Sequence, residues 1–151
     1  STKVSQQHVA RAIAEIQQSS DVTYRLFDWN RVDAQGQPRA LHVEQALDCI
    51  DFELRPGGPR IPQPTGHPQV ERLAACDQFV LDRWLLHAEA QIGGDDRCHL
   101  LAVLAGRVRI AGEATGEWLG PGATLLLPAS LGPTAAAPRG QAVLLDAWLP
   151  A

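Results

Sequence analysis

"CHLLAVLAGRVRIAGE", Cys98 to Glu113, and "WLGPGATLLLPAS", Trp118 to Ser130, decide the fold. Both are short apolar runs broken by glycine, with turn chemistry where a helix would need continuity. "CHLLAVLAG" and "RVRIAGE" read as two strands joined at Gly106, and the strand after the Pro121–Gly122 turn stops at Pro128. On either side the pattern repeats. "FVLDRWLLHAEAQI", Phe79 to Ile92, ends in the turn "GGDD", and "QAVLLDAWLP", Gln141 to Pro150, closes the chain. Short strands at regular intervals predict an antiparallel sandwich or jelly roll from about Cys76 onward. No internal sequence repeat is evident.

Upstream the grammar changes. "RPGGPRIPQPTGHPQ", Arg55 to Gln69, carries five prolines and three glycines, so it reads as a crossing segment, with residues 55–75 taken as a linker. Before it, "ALHVEQALDCID" places Leu41, Ala46, Leu47 and Ile50 at helical spacing and predicts a short helix. "VTYRLFDW" alternates, which predicts a strand over residues 21–28. Residues 8–17 fit helix and strand about equally well. The fold class is mainly β: an antiparallel β-barrel with a short helix and an N-terminal strand segment.

Composition narrows the partners. The chain has 151 residues, enough for one domain with an appendage, and a net charge of -4. With no basic run, a nucleic-acid duplex is not the expected partner, and no apolar run is long enough to span a bilayer. The first residues have no apolar signal core, which points to the cytoplasm. Cys49, Cys76 and Cys98 are widely spaced and odd in number, so they read as reduced, semi-buried thiols. "LLDAWLP" at the end of the chain reads as a candidate exposed edge strand.

The strand–glycine–strand pattern followed by "PG" and a strand ending in proline resembles the cupin signature. In metal-binding cupins such strands aim alternate side chains at one ion. Here the acid position, seven residues before Gly106, holds His99. The two upstream histidine positions fall on Ile92 and Gly94, and the last falls near Pro133. One histidine does not make a site that needs three or four ligands, so the barrel itself reads as metal-free. His67 and His87 have no spaced partner, and Asp95 and Asp96 read as a solvated turn. GxSxG and Walker-type loops are absent.

"AEIQQSSDVTYRLFDWNR", followed by "PRALHVEQALDCIDF", resembles the class I mannose-6-phosphate isomerases of bacteria over Glu15 to Phe52. The resemblance implies residues 1–54 as the exit of a catalytic cupin, and residues 76–151 as a metal-free cupin-like barrel. It implies isomerisation of mannose 6-phosphate and fructose 6-phosphate through an enediol, a sugar-phosphate substrate and one zinc ion per complete enzyme. It also implies an upstream cupin domain or partner chain, because the "QxHP" and "KPE" ligand segments are missing from this chain. Arg25, in the "TYR" motif, is the residue implied to be catalytic and substrate-binding. Its place on a strand would put Phe27 on the same face, where it restricts the arginine's rotamers. His8 is the candidate metal ligand. Arg31, Asp28 and His42 read as structural: a turn, a cap and a helix face. The alternative is a stand-alone metal-free cupin that binds or supports without isomerase activity.

Overall fold

The computed structural model describes residues 22–54, 58–113 and 115–150. The chain divides into two compact units, Ser1–Arg55 and Pro56–Ala151. The metal-ligand candidate His8 and the ambiguous residues 8–17 lie outside the described residues.

In the first unit the expected helix forms as α1, Val43–Asp48, with His42 at its N-cap and Glu44 in its first turn, where a carboxylate suits the helix dipole. Ala46 is its buried residue. Leu41, Leu47 and Ile50, the rest of the expected apolar stripe, are exposed. The expected strand over residues 21–28 does not form in residues 22–28, which carry no sheet ladder. Alternation supplies a face but not a neighbouring strand, and the backbone of Arg25 pairs with His42 instead.

The second unit is a single antiparallel sheet. Its strands are β1 Gln63–Pro64, β2 Val70–Ala75, β3 Val80–Leu86, β4 Ala90–Ile92, β5 His99–Ile110, β6 Thr124–Leu127 and β7 Thr134–Trp148. The order is β1-β2-β3-β7-β5-β6, with β4 also paired to β7. β7 is therefore the centre of the sheet and not the exposed edge its sequence suggested. It pairs with β3 from Val80↔Trp148 to Leu86↔Ala142, and with β5 from His99↔Trp148 to Ile110↔Ala136. β1 and β2 fall inside the stretch read as a linker: the proline run ends at Pro68, and the free backbone donors from Gln69 onward let β2 join the sheet.

β5 is one strand where two were expected. It bends through register shifts at Val103/Ala105 and Gly106/Val108 without ending. Gly106 has φ 74, and a Cβ there would sit 2.0 Å from the Gln141 carbonyl oxygen, so the bend requires glycine. The inward positions form one core: Trp84, Leu86, Ile92, Leu101, Val103, Val108, Leu127 and Leu144 are all buried. On the opposite face a row of aligned partners, Leu126, Leu100, Ala147 and Leu81, crosses β6, β5, β7 and β3.

Candidate functional site

In the first unit two turns fold the chain back onto Arg25. Trp29 (φ 48) and Asn30 (φ 54) occupy the left-handed region, and Arg31 N–H donates to the Asp28 carbonyl at 2.9 Å. This is the geometry of a type I′ turn, in which asparagine tolerates positive φ well. Asp33 builds the second turn, its carboxylate accepting the N–H groups of Gln35 and Gln37, each at 2.9 Å. A bridge between Val32 and Pro38 closes the loop and returns Arg39 and Ala40 toward Arg25.

Arg25 is fixed at backbone and side chain. Its N–H donates to His42 Nδ1 at 3.3 Å, and its carbonyl accepts His42 N–H at 2.8 Å. Its Nη1 donates to the Ala40 carbonyl at 3.4 Å, and its Nε lies 3.8 Å from Asp28 Oδ1. Asp28 Oδ2 faces a second guanidinium, with Arg39 Nε at 3.5 Å. The Asp28 side chain is 11% exposed, Arg25 20% and Arg39 47%. Asp28 Oδ2 is buried and accepts no hydrogen bond among the described residues, so its contact with Arg39 is charge attraction alone. The arrangement can present a guanidinium in a set orientation to an anion or an oxyanion.

The second unit holds a different polar cluster, inside the sheet at one end. Asp82 and Asp146 are directly opposed partners on β3 and β7. Each accepts an indole N–H from the other strand: Trp84 Nε1 donates to Asp146 at 3.1 Å, and Trp148 Nε1 to Asp82 at 3.2 Å. Two facing buried carboxylates repel, and a cation offsets each. Arg72 grips Asp82 with Nε at 2.6 Å. His99 Nδ1 meets Asp146 at 2.9 Å and its Nε2 meets Asp95 at 2.9 Å.

A carboxylate accepts only, so both ring nitrogens of His99 donate and the ring is an imidazolium. The bond to Asp146 pushes His99 up to about 9 against the opposing effect of burial, and Asp95 adds to it. Burial alone would raise the Asp95 carboxyl, but bonds from His99 and Arg97 outweigh it and hold it below its ordinary value. The guanidiniums of Arg97 and Arg72 lie 5.0 and 5.5 Å from the Trp148 ring.

His99, the residue at the cupin acid position, lies in this cluster, and the described residues do not fit a metal there. His99 has no free lone pair, and among the described residues no three His, Cys, Asp or Glu side chains are grouped to hold an ion. Asp95, expected to stay solvated, is drawn into the network.

The sequence reading singled out Arg25, Asp28 and His42, and the structure brings all three together. The Phe27 ring meets that of Trp29, with centroids 5.6 Å apart. His42 caps α1 where it was read as lying on the helix face. Arg39, Asp82 and Asp146 were missed. A signal for the last two was present: "LDRW" and "LDAW", Leu81–Trp84 and Leu145–Trp148, each put an acid inside an apolar strand two residues before a tryptophan. The three thiols expected to be semi-buried are free and exposed.

No family model matches the chain. Among characterised proteins it is similar to mannose-6-phosphate isomerase ManA of Bacillus subtilis, with 34% identity over 128 residues, covering 78% of this chain and 38% of that protein. The crystal structure of the mannose 6-phosphate isomerase from Bacillus subtilis shares the fold at a TM-score of 0.66 and 22% identity, over 85% of this chain and 40% of that one. An RmlC-like cupin from Shewanella frigidimarina superposes at a TM-score of 0.50 and 13% identity, over 67% of this chain and 93% of that one, which identifies the sheet as cupin-type. Over 78% of its residues, therefore, the chain is a relative of the mannose-6-phosphate isomerases, and it spans 38% of the length of the relative it matches.

Proposed function

We propose that this chain is part of a mannose-6-phosphate isomerase, the C-terminal part, and that Arg25 serves its active site. Residues 1–54 leave the catalytic cupin, and the metal-free cupin-like sheet follows in sequence. The observation that carries the reading is the Arg25 guanidinium, fixed by Ala40 and Asp28 within the motif that resembles the isomerases.

Interconversion of mannose 6-phosphate and fructose 6-phosphate moves a proton between C1 and C2 through an enediol, and negative charge develops on oxygen. An oriented guanidinium stabilises that charge or holds the phosphate in a fork. Arg25 is suited to this because its backbone is tied at both N–H and carbonyl and its guanidinium is oriented by the Ala40 carbonyl and Asp28. Zinc is the cofactor that the resemblance implies for the complete enzyme. Among the described residues no side-chain group fits it. An upstream cupin domain or partner chain supplies the remaining machinery. The setting is cytoplasmic carbohydrate metabolism; no helix among the described residues is long and apolar enough to cross a membrane.

The test is Arg25→Ala in the complete enzyme. Turnover is expected to fall by about 100-fold or more. Stability is expected to change by less than about 1 kcal/mol, since Arg39 still faces Asp28. Unchanged turnover with a large loss of stability overturns the reading and leaves a supporting or binding module.

A further inference from the structure

We propose that Arg39 is a second phosphate-binding guanidinium, acting beside Arg25 on the phosphate monoester of the substrate; this rests on the isomerase reading above. Asp28 is one carboxylate facing two guanidiniums, with Nε of Arg25 at 3.8 Å and Nε of Arg39 at 3.5 Å. One guanidinium neutralises one carboxylate, so the second leaves a surplus positive charge at a largely buried anion.

Neither contact is a tight fork. Charge-assisted pairs close to about 2.7–2.9 Å when they are optimised for each other. Asp28 Oδ2 takes no hydrogen bond from Arg39 at all. Asp28 therefore orients both side chains through Nε without consuming their terminal N–H groups. Arg25 spends Nη1 on the Ala40 carbonyl, whereas neither terminal nitrogen of Arg39 donates a hydrogen bond among the described residues. Arg39 is also the more exposed of the two, the side that meets a ligand arriving from solvent. A phosphate monoester carries up to two negative charges and at least three acceptor oxygens, which two guanidiniums match better than one.

The 151-residue chain, labelled with [15N]arginine, is titrated with mannose 6-phosphate, inorganic phosphate and mannose while the side-chain Nε–Hε signals are followed. Signals of Arg25 and Arg39 are expected to move together and saturate with the two phosphates and to stay still with mannose. Arg39→Ala is expected to weaken mannose 6-phosphate binding about tenfold, a loss of about 1.4 kcal/mol, with Arg39→Lys in between because an ammonium keeps the charge but loses the fork. Unchanged affinity in Arg39→Ala, with binding lost in Arg25→Ala, overturns the inference and leaves the isomerase reading standing. Stillness of both guanidiniums in every titration also overturns the inference; the isomerase reading is tested separately, by turnover of the Arg25→Ala complete enzyme.

Discussion

Asp146 sits 2% exposed in the middle of an apolar strand and is held by Trp84 and His99. Its charge is tolerable only while His99 keeps its proton. The ordinary value for His99 is 6.5 and the folded value about 9, so the folded state binds this proton more tightly than the unfolded chain does. The stabilisation is whole below pH 6.5 and is lost as pH rises through 9, on the order of 3 kcal/mol in all. Thermal melts from pH 6.5 to 10 should show a falling Tm, and His99→Gln should flatten that slope while lowering stability at pH 7 by about 3 kcal/mol. A slope that survives in His99→Gln would assign the titration elsewhere. At this scale the sequence was half legible. Arg25 stood out because its neighbours form a dense motif. Arg39 did not, because its role depends on a loop closing back over fourteen residues of sequence from Arg25 to Arg39. His99 stood out only as a lone histidine at a cupin ligand position; its two carboxylate partners come from a turn and from a strand 47 residues away, a distance that periodicity does not span.

The bend in β5 shows what distinguishes a strand break from a strand corner. Glycine at Gly106 looked like a junction between two strands, yet the ladder to β7 continues past it as far as Ile110. The physical need is local: positive φ and a Gln141 carbonyl too close for any Cβ. Gly140 also has positive φ (81), but nothing lies within 4 Å of where its Cβ would stand. Gly106→Ala is therefore expected to cost more than about 3 kcal/mol or to prevent folding, while Gly140→Ala costs about 1 kcal/mol. Urea titration of the two variants distinguishes them, and equal losses would mean the bend is not set by the close approach. The strands of the sheet were readable because apolar runs and turns punctuate them, although the sheet stays open where a closed barrel was expected. The extended segment over residues 22–28 was over-read, since alternation alone does not say whether a partner strand exists. β2 was under-read because it begins right after a proline-rich stretch, and its pairing with β3 is a tertiary fact.

At the scale of the whole molecule, each unit keeps its own account. In residues 22–54 Ala46 alone is buried, while Trp29, Phe52 and Leu54 are each more than 70% exposed. In the second unit a continuous core joins β2 to β7. Residues 56–151 produced alone are expected to keep the sheet signature and melt cooperatively; a non-cooperative melt would mean that the sheet depends on residues 1–55. On the outer row, Leu126 is 60% exposed, and Leu126→Lys should change stability by no more than about 0.5 kcal/mol. The reciprocal indole–carboxylate pairs also give the molecule a built-in optical gauge. Excitation draws charge away from the indole nitrogen, so a carboxylate at that edge lowers the excited state and reddens the glow of Trp84 and Trp148 despite their shelter. Trp29, open to solvent, shines separately, and its dimming by an added quencher leaves the half-buried Trp118 and the indole–carboxylate pair to report when the sheet comes apart.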